Sequence, residues 1–149
     1  MLKVKWLYRK QDVVAMAQQK LAIPQEDLQY VGENEVFPTN HVDRVFADAI
    51  QSKCLVYPIA EYDQLSITDI TTTFFTRAVF DVNKLTLTPG FAQWEQYCVC
   101  KKPLNPNLLY VRCDECHQWF HLSCMNLTKE QAEELEKFSC GQCKPSSQI

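Results

Sequence analysis

Residues 113–124 read CDECHQWFHLSC: three cysteines, two histidines, a tryptophan and a phenylalanine in twelve positions. Cys113 and Cys116 are separated by two residues, and so are His121 and Cys124. Two donors at that spacing can curl round one tetrahedral ion. His121 completes a pair with Cys124, whereas His117 directly follows Cys116 and would crowd that site as an extra ligand. His121 is therefore the expected ligand and His117 an exposed polar residue of the loop. Trp119 is a large aromatic held between the two pairs.

The pattern continues on both sides. The ligand series runs Cys98, Cys100, Cys113, Cys116, His121, Cys124, Cys140, Cys143, in four close pairs. Eight donors make two closed tetrahedral sites for Zn²⁺, which leave no open position for water and are structural rather than catalytic. A segment of this size buries too little apolar surface to fold well alone. Zinc supplies the deficit, on the order of 10 kcal/mol per site. Seven of the eight cysteines lie in this cluster. In a secreted chain it would read as a disulfide framework and in an intracellular chain as metal binding. The start, MLKVKWLYRK, has no long apolar run of a signal peptide, which favours metal.

The order and spacing of these ligands resemble the PHD finger. The resemblance implies that Cys98, Cys100, His121 and Cys124 share one zinc, and that Cys113, Cys116, Cys140 and Cys143 share the other. A RING finger has the same plan but carries its histidine fourth in the series, where here it is fifth. Phe138, two residues before Cys140, falls where PHD fingers place a core aromatic. NLTKEQAEELEKF (126–138) reads as a short helix with Thr128 as cap and Gln131 at the capping-box position. Its charges read as a solvated face.

Tyr97, Tyr110 and Trp119 come from three stretches that the metal sites hold together. Aromatic faces attract a methylated ammonium. The resemblance implies that these three form the methyl-lysine cage of a histone H3 tail reader, with Leu104 where some members carry a fourth aromatic. It further implies that the tail adds a strand beside residues 109–112, touching Leu109 and Val111. Asp114 would pair with the tail arginine, and the free amine would meet carbonyls near Lys137 and Phe138. The alternative is that these aromatics only pack the zinc scaffold.

Residues 1 to 94 follow a different logic. KVKWLY alternates, so that Val4, Trp6 and Tyr8 share a strand face. NEVF (34–37), KCLVY (53–57), TTFFTRAVFD (72–81) and KLTLT (84–88) also read as strands, the last two as a hairpin about Val82 and Asn83. DVVAMAQQKLA (12–22) reads as a helix capped by Asp12 and closed by Pro24, and AEYDQL as a helical turn. TPGFAQWEQ (88–96) reads as a linker, and Cys54 as a buried small apolar residue. The expected fold class is mostly β with small helices.

VKWLYR, NEVFPTNHVDRVFADAI, KCLVY and FFTRAVFD together resemble a BAH domain. A BAH domain closely followed by a PHD finger is the arrangement of certain plant and fungal chromatin readers. The resemblance implies a partial BAH domain over 1–94 with its first strands missing, a PHD finger over 95–145 and a tail over 146–149. In that subgroup some BAH domains bind trimethylated lysine 27 of H3. Trp6 and Tyr8 match two cage walls, and His41 and Asp43 match peptide-contacting residues. The alternative is that Trp6 and Tyr8 are core residues of a half-buried strand.

The formal charge is −3 with no basic block, which offers no nucleic-acid platform and suits a cationic partner. No stretch is long enough to cross a bilayer. No nucleophile–base constellation is present. The reading is a nuclear, non-catalytic chromatin reader with two structural Zn²⁺. Its partners would be the H3 tail and proteins of a chromatin complex. The alternatives are a zinc-scaffolded interaction module without methyl-lysine recognition and a RING-like ubiquitin ligase.

Overall fold

The computed structural model describes residues 1–66 and 69–144. The expected tail lies outside the described residues. The chain divides into two compact units, Met1–Trp94 and Glu95–Ile149. Both are mostly strand with small helices, the fold class the sequence implies.

The first unit runs β1 (Leu2–Arg9), α1 (Lys10–Ala17), β2 (Val36–Val45), β3 (Leu55–Pro58), α2 (Ile59–Tyr62), β4 (Thr73–Thr76), β5 (Val79–Asp81) and β6 (Thr86–Thr88). One sheet has the order β1-β2-β5-β6, and β3 pairs with β4 in parallel in a second. Val13 and Ala17, one helical turn apart on α1, bury their side chains with Phe37, Phe80, Leu87 and Trp94 in the core.

The expected single strand 72–81 is broken in two at Arg77 and Ala78. Arg77 turns inward to Glu35, with Nε donating to Oε1 at 2.8 Å and Nη2 to Oε2 at 3.0 Å. Nη2 also donates to the Tyr30 carbonyl at 2.8 Å, and the guanidinium lies 4.0 Å from the centre of the Trp94 ring. Glu35 is fully buried. Burial pushes its carboxyl up, while the Arg77 guanidinium pulls it back. The pair sits at the break, and β4 and β5 on either side of it belong to different sheets.

Five further expectations are corrected. The β5–β6 hairpin forms, but over a longer turn: Asp81 Oδ1 accepts the amides of Lys84 and Asn83 at 2.9 and 2.8 Å, and these donors hold its carboxyl below the usual range. An aspartate thus organises a turn that lacks glycine. Asp12 is not the helix cap; it lies inside α1 and its carboxylate accepts the Arg9 amide at 2.9 Å. The α-helix ends at Ala17 and continues as a 3-10 turn over Gln18–Leu21. The stretch 88–96 is no loose linker, because Trp94 is buried and its Nε1 donates to the Pro89 carbonyl at 2.9 Å. Cys54 is exposed, not buried, next to the outlying β3 where Leu55 and Val56 are also exposed.

The buried pair yields a test. Arg77→Ala leaves Glu35 buried without its partner and should cost about 3–5 kcal/mol. The expected result is a lower urea midpoint for the first unit, with the bound zinc of the second unchanged.

Candidate zinc centres and peptide groove

The second unit is built from hairpins whose turns carry the ligands. β7 (Gln96–Tyr97) pairs with β8 (Lys102–Pro103), and Cys98 and Cys100 sit in the turn between them. Cys98 and Lys101 take positive φ there, 68° and 53°. β9 (Tyr110–Arg112) pairs with β10 (Trp119–His121), and Cys113 and Cys116 sit in that turn. It is closed by the Cys113 amide donating to the Gln118 carbonyl and the His117 amide donating to the Cys113 carbonyl, both at 2.9 Å. Cys124 lies in a 3-10 turn just after His121. α3 (Lys129–Glu134) starts at Thr128, which accepts the Gln131 amide at 3.2 Å and donates its own to Gln131 Oε1 at 2.9 Å, the expected capping box.

The fold brings the ligands together in two groups, Cys98/Cys100/His121/Cys124 and Cys113/Cys116/Cys140/Cys143. Within each, the donor atoms lie within 4.8 Å of one another. In a zinc tetrahedron with these bond lengths the donors are about 3.6–3.8 Å apart. Cys100 Sγ lies 3.4 Å and Cys124 Sγ 3.9 Å from His121 Nδ1, and Cys116 Sγ lies 3.9 Å from Cys140 Sγ. The sulfurs are far beyond the ~2.05 Å of a disulfide, and every cysteine is free. The donor sets fit two structural zinc ions. His117 belongs to neither group.

The electrostatics of the donor sets also call for a dication. The backbone amide of Cys116 pulls the Cys113 thiol down to about 6. The neighbouring Cys140 sulfur pushes Cys143 up to about 12, and burial pushes Cys124 up to about 12. Packed sulfurs thus resist ionising together, and a bound Zn²⁺ removes that conflict. Burial lowers the His121 pKa, which favours the neutral imidazole that ligates metal. Cys113, Phe120 and Cys140 form the buried centre of the unit, and Phe138 packs against it 6.4 Å from Phe120.

The three expected cage aromatics divide. Tyr97 and Trp119 line one groove of about 420 Å³, with Gln96, Cys98, His117 and Gln118. Tyr110 shares the strand face of Trp119, but its ring stacks 4.7 Å from His121 and its hydroxyl accepts the Asn105 amide at 2.9 Å. Leu104 is buried. The polar groove residues escaped the sequence reading because they are ordinary loop residues; His117, at φ 62°, was read only as a rejected ligand.

In the β9–β10 ladder, Leu109 and Cys113 exchange hydrogen bonds with β10 neighbours. Alternation then points the backbone groups of Tyr110 and Arg112 away from β10, toward the open side of β9. Leu109 is exposed and Val111 half-buried. Asp114 is clamped to the C-terminal arm: its Oδ2 accepts the Phe138 amide at 2.7 Å and its amide donates to the Phe138 carbonyl at 2.8 Å. That carbonyl, in the stretch expected to meet a tail amine, is already engaged. Glu115 accepts the Ser139 hydroxyl at 2.6 Å.

In the first unit Trp6 and Tyr8 both approach His41, with ring centres at 6.2 and 5.8 Å. Tyr8 Oη and His41 Nδ1 share a hydrogen bond of 2.8 Å. The register shifts between Lys5 and Leu7 because β2 carries the extra residues opposite Trp6, so Trp6 and Tyr8 stay two apart on β1 and both meet His41. Tyr8 also packs on Phe80 at 6.0 Å, while Trp6 is exposed. A cavity of about 640 Å³ beside them is lined also by Asp12, read from the sequence only as a helix cap, and by Met16. Asp43 stands apart from it, exposed, with its Oδ1 accepting the Arg44 amide at 2.7 Å.

The chain resembles known proteins over both units. Residues 98–143 match the PHD-finger family. The chain is 33% identical over 147 residues to the chromatin remodeling protein SHL of Arabidopsis thaliana, covering 99% of this chain and 59% of that one. It is 30% identical over 130 residues to the chromatin remodeling protein EBS of the same plant, covering 85% and 54%. The nucleosome-remodeling factor subunit NURF301 of Drosophila melanogaster matches 48 residues at 42% identity, 32% of this chain and 2% of that one. The chain spans between half and two thirds of the length of the two plant relatives.

Removing the metal tests the centres. A strong chelator should unfold the second unit and leave the first folded, seen by circular dichroism and domain-resolved proteolysis. Because Cys124 and Cys143 hold their protons to about 12 without metal, zinc binding must expel protons. Its affinity should therefore fall as pH is lowered, which metal-competition titrations across pH would show.

Proposed function

From a chain that carries a PHD finger in the BAH–PHD arrangement of chromatin proteins, we propose a nuclear histone reader whose PHD finger binds the H3 tail methylated at lysine 4. The observation that carries this reading is the groove itself. Tyr97 precedes the first ligand of one zinc site, and Trp119 lies two residues before another ligand of that same site. One ion thus fixes two aromatic faces about a space suited to an alkylated ammonium.

The remaining features support the same partner. An extended peptide can pair with the outward backbone groups of β9, contacting Leu109 and Val111, in the manner of strand addition. Asp114 has a second carboxylate oxygen beyond the one held by Phe138, and a carboxylate can accept several donors, so it can still receive a tail arginine. Four protein donors complete each zinc tetrahedron, so the metal acts as scaffold, and the unit binds rather than catalyses. Trp6, Tyr8 and His41 in the first unit form a second aromatic site, which we assign to methylated lysine 27; Asp43 stands apart from the cavity and would contact only a flanking part of the peptide.

A second reading has its own support. Tyr110 is committed to His121 and Leu104 is buried, so the finger has fewer open aromatic walls than a complete cage. A zinc-scaffolded interaction module would bind unmodified and methylated tails alike.

Calorimetric titration with H3 peptides decides between them. Peptides unmodified, methylated at lysine 4 and methylated at lysine 27 should give preference for lysine 4 methylation through the finger. Trp119→Ala should abolish that preference, a loss of at least ~1 kcal/mol, with both zinc ions retained. Equal binding of methylated peptide by parent and variant would remove the cage from the mechanism.

A further inference from the structure

The groove at Tyr97 and Trp119 has more hydrogen-bonding side chains than a purely aromatic cage needs. Its lining holds two aromatic rings and three polar side chains, Gln96, His117 and Gln118. A trimethylated ammonium has no N–H. It is held by aromatic faces alone, and any acceptor it covers loses water and gains nothing. A dimethylated or monomethylated ammonium keeps one or two N–H donors and can give one to such an acceptor as a charge-assisted hydrogen bond.

His117 is the lining residue best placed to supply that acceptor. Its backbone is fixed in the turn of the Cys113–Cys116 pair, with its amide donating to Cys113 at 2.9 Å and φ at 62°. Histidine tolerates this left-handed conformation better than most residues. It is excluded from both ligand sets, so neither ring nitrogen is committed to metal. A neutral imidazole carries one acceptor nitrogen. The residue is exposed and lines the same groove as Tyr97 and Trp119.

We infer that His117 sets the methylation-state preference of the finger, favouring dimethyl- and monomethyl-lysine over trimethyl-lysine by accepting an ammonium N–H within the groove. This rests on the methyl-lysine reading proposed above. His117 is then a specificity-determining residue, and the zinc site beside it is what holds it at the groove.

The test is a titration of the full chain with H3 peptides carrying lysine 4 unmodified, monomethylated, dimethylated or trimethylated. The dimethylated peptide should bind about fivefold tighter than the trimethylated one, the yield of one modest charge-assisted hydrogen bond. His117→Asn, which keeps an acceptor and tolerates the backbone, should retain that order. His117→Phe removes the acceptor and adds an aromatic wall, and should reverse it. Zinc content is measured for each variant, and if His117→Phe loses zinc the parent ratio decides alone. Trimethyl binding as tight as dimethyl in the parent overturns the inference while leaving the methyl-lysine reading intact. So does a zinc-loaded His117→Phe that keeps the parent order. No gain from any methyl group in the parent overturns both.

Discussion

Four donor atoms, three or four of them sulfur, lie within 4.8 Å of one another at two places in a segment of 46 residues, 98–143. That crowding is tolerable only round a dication, and the rest of the finger depends on it. The apolar centre of the unit is slight, and two of its buried members, Cys113 and Cys140, are themselves ligands. The short hairpins β7–β8 and β9–β10 are two or three residues long, well below what a free hairpin needs to persist in water. The left-handed residues Cys98, Lys101 and His117 all sit beside or among ligands, where metal geometry offsets the backbone cost. The proposed recognition depends on this order, since Tyr97 and Trp119 both lie within two residues of ligands of the same site.

Among the described residues of the first unit no such ligand cluster occurs, and its centre is held differently. Its polar centre is Glu35 and Arg77, and the guanidinium satisfies a carboxylate, a carbonyl and an aromatic face at once. Such a pair contributes little net free energy over an apolar replacement. What it does is geometric: it ties the loop before β2 to the segment between β4 and β5. Trp94 closes that arrangement at the very end of the unit, which is why the Pro-Gly stretch before it is packed.

The zinc centres were legible in the sequence because ligation depends on a few residue types at short spacings, which survive any ambiguity of register. His121 could be told from His117 by counting to Cys124. The capping box at Thr128 was legible for the same reason, since both of its hydrogen bonds are local. Arg77 was not, because nothing in TTFFTRAVFD marks an arginine that turns inward toward a glutamate 42 positions away. Cys54 misled because small apolar character predicts burial only on average. The groove was half legible: its aromatics stand out, but Gln96, His117 and Gln118 become groove walls only when two turns far apart in sequence are brought side by side.

The two ligand groups alternate along the chain, first and third pairs in one, second and fourth in the other. They are therefore not two separate clasps that can open in turn. Each ion holds a segment that lies between the anchors of the other, so freeing either loosens the path to both. Loss of one ion therefore also frees a segment that carries ligands of the other, so the two sites share one fate in folding more than two independent clasps would.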